Sequence, residues 1–186
     1  DVMRFLDNVM EDFIKRAPDT MESARYSAMR ERSVGLGVMG FHSFLQKKRI
    51  PFESVMAKVW NKRIFSKIKE EADKASIVLA AEKGACPGTP ETHYGNGVTP
   101  NQTYKKDVDE LVPHMERMPW DDLREQLKRT GIRNSTLMAL MPAETSAQIS
   151  NSTNGIEPPR SFVSVKQSKH GVLKQVVPGI HRLKSK

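Results

Sequence analysis

The run Arg133-Asn-Ser-Thr-Leu-Met-Ala-Leu-Met-Pro-Ala-Glu-Thr-Ser146 constrains this chain more than any other stretch. Its apolar part, Leu137 to Met141, ends at Pro142 and reads as a buried strand. Glu144, Thr145 and Ser146 follow, then Ala147-Gln148-Ile149, which is the pattern of a helix start. A first helical turn carries backbone N–H groups without intrahelical partners and lies at the positive end of the helix dipole. It is therefore a ready anion site. The same residues also make an ordinary helix cap. Spacing alone leaves both readings open.

A chain of 186 residues, 38% hydrophobic, suits one domain with a sizeable core. No apolar run approaches the roughly 18–20 residues that span a membrane. The N-terminal residues lack the basic start and apolar core of a signal peptide. A lone Cys86 excludes an internal disulfide and fits a reducing, cytoplasmic setting. Asp1 stands where an initiator Met would, which suggests a trimmed or partial chain. The net charge of +8 is spread among acids, and two Trp, three Tyr and seven Phe form no basic–aromatic repeat. A solvated basic surface fits this better than a nucleic-acid groove.

Val2, Phe5, Leu6, Val9, Met10, Phe13 and Ile14 recur three and four apart, an amphipathic helix ending near Ala17-Pro18. A second helix is expected from about Gly37 to Gln46. A long third one follows Pro51 and runs from Val55 to about Glu82, stopping at Gly84. Residues 87–118 are rich in Gly, Pro, Thr and Asn and read as irregular loop. A short helix starts after Pro119, with Leu123 and Leu127 on its buried side. After the strand and helix of 137–149 comes a loop, 151–160. The valines of 162–177 flank Lys169-His170-Gly171 as a β-hairpin. Helices precede strands, so the class is mixed α and β.

Gly35-Leu-Gly-Val-Met-Gly40 matches the GxGxxG string of dinucleotide sites, yet residues 28–33 are not the buried strand that fingerprint requires. Tight glycine packing at a helix start explains it better. His42, His93, His114, His170 and His181 have no metal-ligand spacing to one another or to Cys86. Cys86, between Ala85 and Pro87 at a helix stop, reads as a small buried residue rather than a reactive thiol.

Trp120, Leu123, Gly131, Ile132, Arg133, Asn134, Ala139 and Pro142 stand at the spacing of a signature. That signature resembles the ribonucleotide reductase large-subunit family. Asn154-Gly-Ile-Glu-Pro-Pro-Arg160 and Gln175-Val-Val-Pro178 also look like its class I catalytic chain. Upstream, Arg32 to Val38, Gly84-Ala-Cys-Pro87 and Thr103-Tyr-Lys-Lys-Asp107 are similar more loosely. The resemblance covers roughly 1–178. It implies a segment of a ten-stranded α/β barrel over 1–178, with a divergent basic tail at 179–186.

By that resemblance the substrate is a ribonucleoside diphosphate whose 2′-hydroxyl is removed by radical chemistry. Ala143, Glu144, Thr145 and Ser146 look like the family's substrate phosphate loop. The family's radical cysteine, reducing cysteines and relay tyrosines have no match here, so no catalytic residue and no metal ligand is expected in this segment. The family implies a metal-radical cofactor in a small partner subunit, a dithiol reductant, nucleotide effectors and a large-subunit homodimer. The remaining parts of the large subunit would be further partners. By itself the segment is expected to be inactive. A different class also fits the residues: a basic nucleotide- or nucleic-acid-binding module using Gly35–Gly40 or the Lys-rich end.

Overall fold

The computed structural model describes residues 1–103, 105, 107, 120–169 and 171–183. Tyr104 and Lys106 of the Thr103–Asp107 motif, His114, His170 at the hairpin turn and the last three tail residues lie outside these. The chain forms two compact units. One comprises Asp1–Leu36 with Ile64–Ala139, the other Gly37–Arg63 with Leu140–Lys186. Among the described residues no helix is long and apolar enough to cross a membrane.

In the first unit α1 spans Val2–Arg16 and α2 spans Glu22–Glu31. The long helix α4, Val55–Lys83, belongs to this unit from Ile64 on; its start lies in the second unit at a Ser54 cap, whose Oγ accepts the Ala57 N–H at 3.2 Å. It ends where the Gly84 N–H donates to the Ala80 carbonyl at 2.8 Å. Pro100–Thr103 makes a single helical turn, α5, and α6 spans Trp120–Thr130. Leu123 and Leu127 of α6 join Met3, Val34, Ala72, Ile77, Ile132 and Leu137 in one apolar core. This is the side of α6 that the spacing predicts.

Three expectations need correction. The apolar stripe of α1 faces inward only in part: Leu6 packs on the core and Met10, Phe13 and Ile14 are half-buried, but Phe5 and Val9 are exposed, while Met3 and Asp7 are buried. Asp7 turns inward because two arginines and a lysine meet it there. The Leu137–Met141 run does not form a strand enclosed on both sides. It pairs in parallel with 34–36 through one bridge, Leu36 to Met138, and Leu140 and Met141 are 56% and 40% exposed. Pairing stops at Ala139, whose N–H donates to the Leu36 carbonyl, so the last two residues have no neighbouring strand. The helix expected from Gly37 begins instead at Phe41. Gly40 precedes it with φ +79°, and a Cβ there would lie 3.1 Å from that of Ser152. Only glycine meets both conditions comfortably.

In the second unit α3 spans Phe41–Lys47, α7 spans Glu144–Ile149, and α8 is one turn, Ile180–Leu183. β1, Val163–Ser168, pairs antiparallel with β2, Gly171–Val176, in the register Val163 to Val176 through Ser168 to Gly171. This is the expected hairpin. α3 is stitched to the loop at 151–155 by reciprocal bonds: the Ser43 N–H reaches Thr153 Oγ1 at 3.1 Å, and the Thr153 N–H reaches Ser43 Oγ at 2.9 Å.

Candidate functional site

The turn at 143–146 is built by its neighbours. Thr153 is held by Ser43, and the next residue, Asn154, accepts the Ala143 N–H on its Oδ1 at 2.7 Å. That bond fixes where α7 starts. The Ala147 N–H closes the first turn onto the Ala143 carbonyl at 2.7 Å, and Ala147 is buried beneath it. No side chain caps the helix. The amides of Glu144, Thr145 and Ser146 are the ones helix geometry leaves without an intrahelical acceptor. Thr145 and Ser146 are exposed.

Glu144 does not fold back as a cap. Its Oε2 meets the Lys166 ammonium of β1 at 2.9 Å. That hydrogen bond and the Lys166 charge hold the Glu144 carboxyl below the ordinary carboxylate range, with a smaller push from Arg160. The Glu144 carboxylate is thereby matched, while a second carboxylate, Glu157, lines the cavity beside the turn. Beside the turn lies a cavity of about 300 Å³, lined in part by Glu144, Gln148, Asn154, Arg160 and Lys166. The three amides and two hydroxyls of the turn can bind an oxyanion.

The four residues of the expected phosphate loop thus occupy one turn. The sequence argument did not assign Asn154 or Lys166 a role, although both shape that turn. Asn154 stood within the Asn154–Arg160 motif, and Lys166 had no signal beyond alternation in a strand.

Other singled-out residues have structural places. Arg133 and Asn134 of the signature belong to a buried network in the first unit. Arg32 Nε and Nη1 donate to Asp7 Oδ1 and Glu11 Oε2, each at 2.9 Å. Arg133 Nε donates to Asp7 Oδ1 at 3.3 Å, and its Nη1 caps the α4 terminus by donating to the Lys83 and Gly84 carbonyls. Asn134 Nδ2 donates to the Arg32 carbonyl at 2.9 Å, and Asn134 Oδ1 accepts from Ser76 Oγ at 2.9 Å. Burial alone would raise the Asp7 carboxyl. Hydrogen bonding and charge from Arg32, then the charges of Arg133 and Lys83, outweigh it and hold Asp7 below its ordinary value.

Gly131 of the signature has φ +69°, and a Cβ there would lie 2.8 Å from that of Ala85. Cys86 is 2% exposed, with Sγ 3.4 Å from Thr89 Oγ1. Before Gly35 the chain completes α2 and turns at Arg32, φ +47°, so the strand a dinucleotide fingerprint requires is not there. Among the described residues no three His, Cys, Asp or Glu side chains are placed to hold a metal ion.

The sequence pattern of the ribonucleotide reductase barrel domain matches residues 1–185. This chain belongs to that family. It is 45% identical over 184 residues to the ribonucleoside-diphosphate reductase subunit alpha of Buchnera aphidicola subsp. Baizongia pistaciae, covering 99% of this chain and 24% of that protein. The Escherichia coli K12 ribonucleoside-diphosphate reductase 1 subunit alpha is 47% identical over 161 residues, 87% of this chain and 21% of that one. A solved structure, the class Id ribonucleotide reductase alpha subunit of Actinobacillus ureae, is similar at a TM-score of 0.62 and 29% identity. It covers 87% of this chain and 24% of that one. The chain therefore spans about a quarter of the length of the relatives it matches. Its helices followed by a two-stranded sheet are a portion of the reductase α/β barrel.

Proposed function

We propose that this chain is a segment of the catalytic α subunit of a ribonucleoside-diphosphate reductase, and that Ala143, Glu144, Thr145 and Ser146 hold the diphosphate of the substrate. The observation that carries the reading is the uncapped first turn of α7, in a chain whose relatives are named for a nucleoside diphosphate. Phosphate oxygens accept from the amides of residues 144–146 and from the Thr145 and Ser146 hydroxyls, at the positive end of the helix. Lys166 neutralises the Glu144 carboxylate that would otherwise oppose the phosphate. Fixing the diphosphate positions the ribose for the radical step without taking part in it.

The reacting groups lie in the remaining parts of the large subunit: the radical cysteine, the reducing pair and the relay tyrosines. The metal-radical cofactor belongs to the small subunit and the electrons come from a dithiol reductant. Nucleotide effectors act on a large-subunit homodimer in the cytoplasm.

The test is the double variant Thr145→Ala/Ser146→Ala in an enzyme reconstituted from this chain, the complementary large-subunit segments and the radical-generating subunit. Hydrogen bonds to a charged acceptor contribute about 1.5–3 kcal/mol each, and the backbone amides survive the change. Apparent affinity for the diphosphate substrate should fall roughly ten- to a thousandfold. Unchanged affinity and turnover would show the turn to be a helix start and nothing more.

A further inference from the structure

Residues 47–63, within the second unit, carry six cations (Lys47, Lys48, Arg49, Lys58, Lys62 and Arg63) and one carboxylate, Glu53. None of the six makes an ion pair with the described residues. Further along α4 the pattern is different: Lys67 meets Glu71 at 2.7 Å, Lys74 meets Glu70 at 2.5 Å, and Lys69 meets Asp73. On the first turns of α4, Val55, Lys58 and Lys62 stand three, then four apart and share one helix face. Lys58 and Lys62 are like charges at a repulsive spacing with no acid between them.

The same stretch is unusually apolar for a basic surface. Val55, Met56 and Phe52 are 73%, 50% and 43% exposed. At its centre Trp60 packs edge-on to Phe44 with ring centroids 5.2 Å apart. Lys48 Nζ lies 5.4 Å from the Trp60 ring centroid and Arg63 Cζ lies 5.7 Å from it. These cation–π contacts hold two of the positive charges in place instead of leaving them free to spread into solvent. Cations with no acidic partner in the described residues, Lys48 and Arg63 among them, and exposed apolar side chains on one short stretch both cost free energy in the free chain. A partner that is negative and partly apolar offsets both at once.

We infer that the 47–63 face, framed by Lys48, Trp60 and Arg63, is a docking surface for an acidic, partly apolar polypeptide segment. Single-stranded nucleic acid needs open aromatic faces for its bases. Trp60 is half-buried, edge-packed on Phe44 and approached by its own cations. The exposed remainder is mostly aliphatic and thioether, which suits the side chains of a peptide helix or strand. Carboxylates on such a segment would meet Lys48 and Arg63, with apolar side chains over Met56, which shares the Trp60 face of α4.

The experiment uses the full 186-residue chain carrying Trp120→Phe, so that Trp60 is its one tryptophan. Three fluorescent probes are titrated in parallel: a short peptide repeating Glu-Glu-Leu, one repeating Glu-Glu-Ser, and oligothymidylate. The Glu-Glu-Leu peptide should bind, shift the Trp60 emission and weaken steeply with added salt. It should bind several times more tightly than the serine peptide. Lys48→Glu/Arg63→Glu should weaken it by at least about tenfold, a loss expected for removal of central charge pairs. Met56→Ser, one turn of α4 before Trp60, should weaken it several-fold and serves if the first variant does not fold. The control Lys128→Glu/Arg129→Glu on exposed residues of α6 changes net charge equally and should move affinity by less than about twofold. Equal loss in the control would reduce the effect to net charge and overturn the proposal. So would tighter binding of oligothymidylate, no preference for the leucine peptide, or an unmoved Trp60 emission.

Discussion

Asp7 shows how much of this chain rests on single residues. It is fully buried and receives Arg32, Arg133, Lys83 and Asn134, so α1, α2, α4 and the 133–134 segment all converge on one carboxylate. Removing one partner of such a buried set leaves charge uncompensated, at a cost of about 3–5 kcal/mol. Asp7→Asn should therefore destabilise the first unit by about that amount at neutral pH, read by urea unfolding of a Trp60→Phe chain through Trp120 fluorescence. Because the folded Asp7 carboxyl lies below its ordinary value, its stabilisation is present above the ordinary carboxylate range and is lost as pH falls through the folded value. The wild-type chain should lose stability between about pH 5 and pH 2, and Asp7→Asn should show a flatter acid limb. A variant as stable as wild type at neutral pH would contradict this. Arg133 and Asn134 were legible in the sequence as part of a signature, but not as pins of a buried network. Asp7 was hidden because it stands at the edge of an apolar periodicity, beside Met10 and Ile14, where the sequence shows no partner for it.

At the scale of elements, α4 organises the first unit through a buried stripe of Ala72, Asp73, Ser76, Leu79 and Ala80. Ser76 accepts the Asn134 N–H at 3.0 Å and donates to Asn134 Oδ1, so it carries the link from α4 to the signature segment. Ser76→Ala leaves a buried donor and acceptor on Asn134 short of partners, which costs about 1–3 kcal/mol. The same urea measurement should show that loss, and an unchanged midpoint would place the link elsewhere. Both ends of α4 were legible, because a Pro51 just before the helix and a Gly84 stop are local chemistry, although the Ser54 cap was not singled out. α2 was not: it buries no residue, so no apolar periodicity marks it. The 137–141 run misled for a related reason. An apolar pentad reads the same whether neighbours flank it on one side or two, and only the pairing with 34–36 shows which. The turn of the candidate site was legible as a helix start with hydroxyls. Its supports, Asn154 and Lys166, come from loop and hairpin residues brought close by folding.

At the scale of the whole molecule, the hairpin carries a cluster of exposed apolar side chains. Phe162, Val165 and Val172 are 76%, 61% and 64% exposed, on a two-stranded sheet with both edges open. Such a hairpin is marginal alone and is a template for pairing with another chain. The chain should self-associate with rising concentration in light scattering, and Val165→Lys/Val172→Lys should suppress this. Concentration-independent monomer scattering by the wild type would contradict it. The most direct test of the enzyme assignment is turnover of a ribonucleoside diphosphate with a dithiol reductant. The one cysteine of these 186 residues is buried beside Thr89 and cannot serve as both radical thiol and reducing pair. With the radical-generating subunit and the complementary large-subunit segments, the chain should support deoxyribonucleotide formation, and with the radical-generating subunit alone it should not. Turnover without the complementary segments, or none with a complete set that assembles with the chain, would contradict the account.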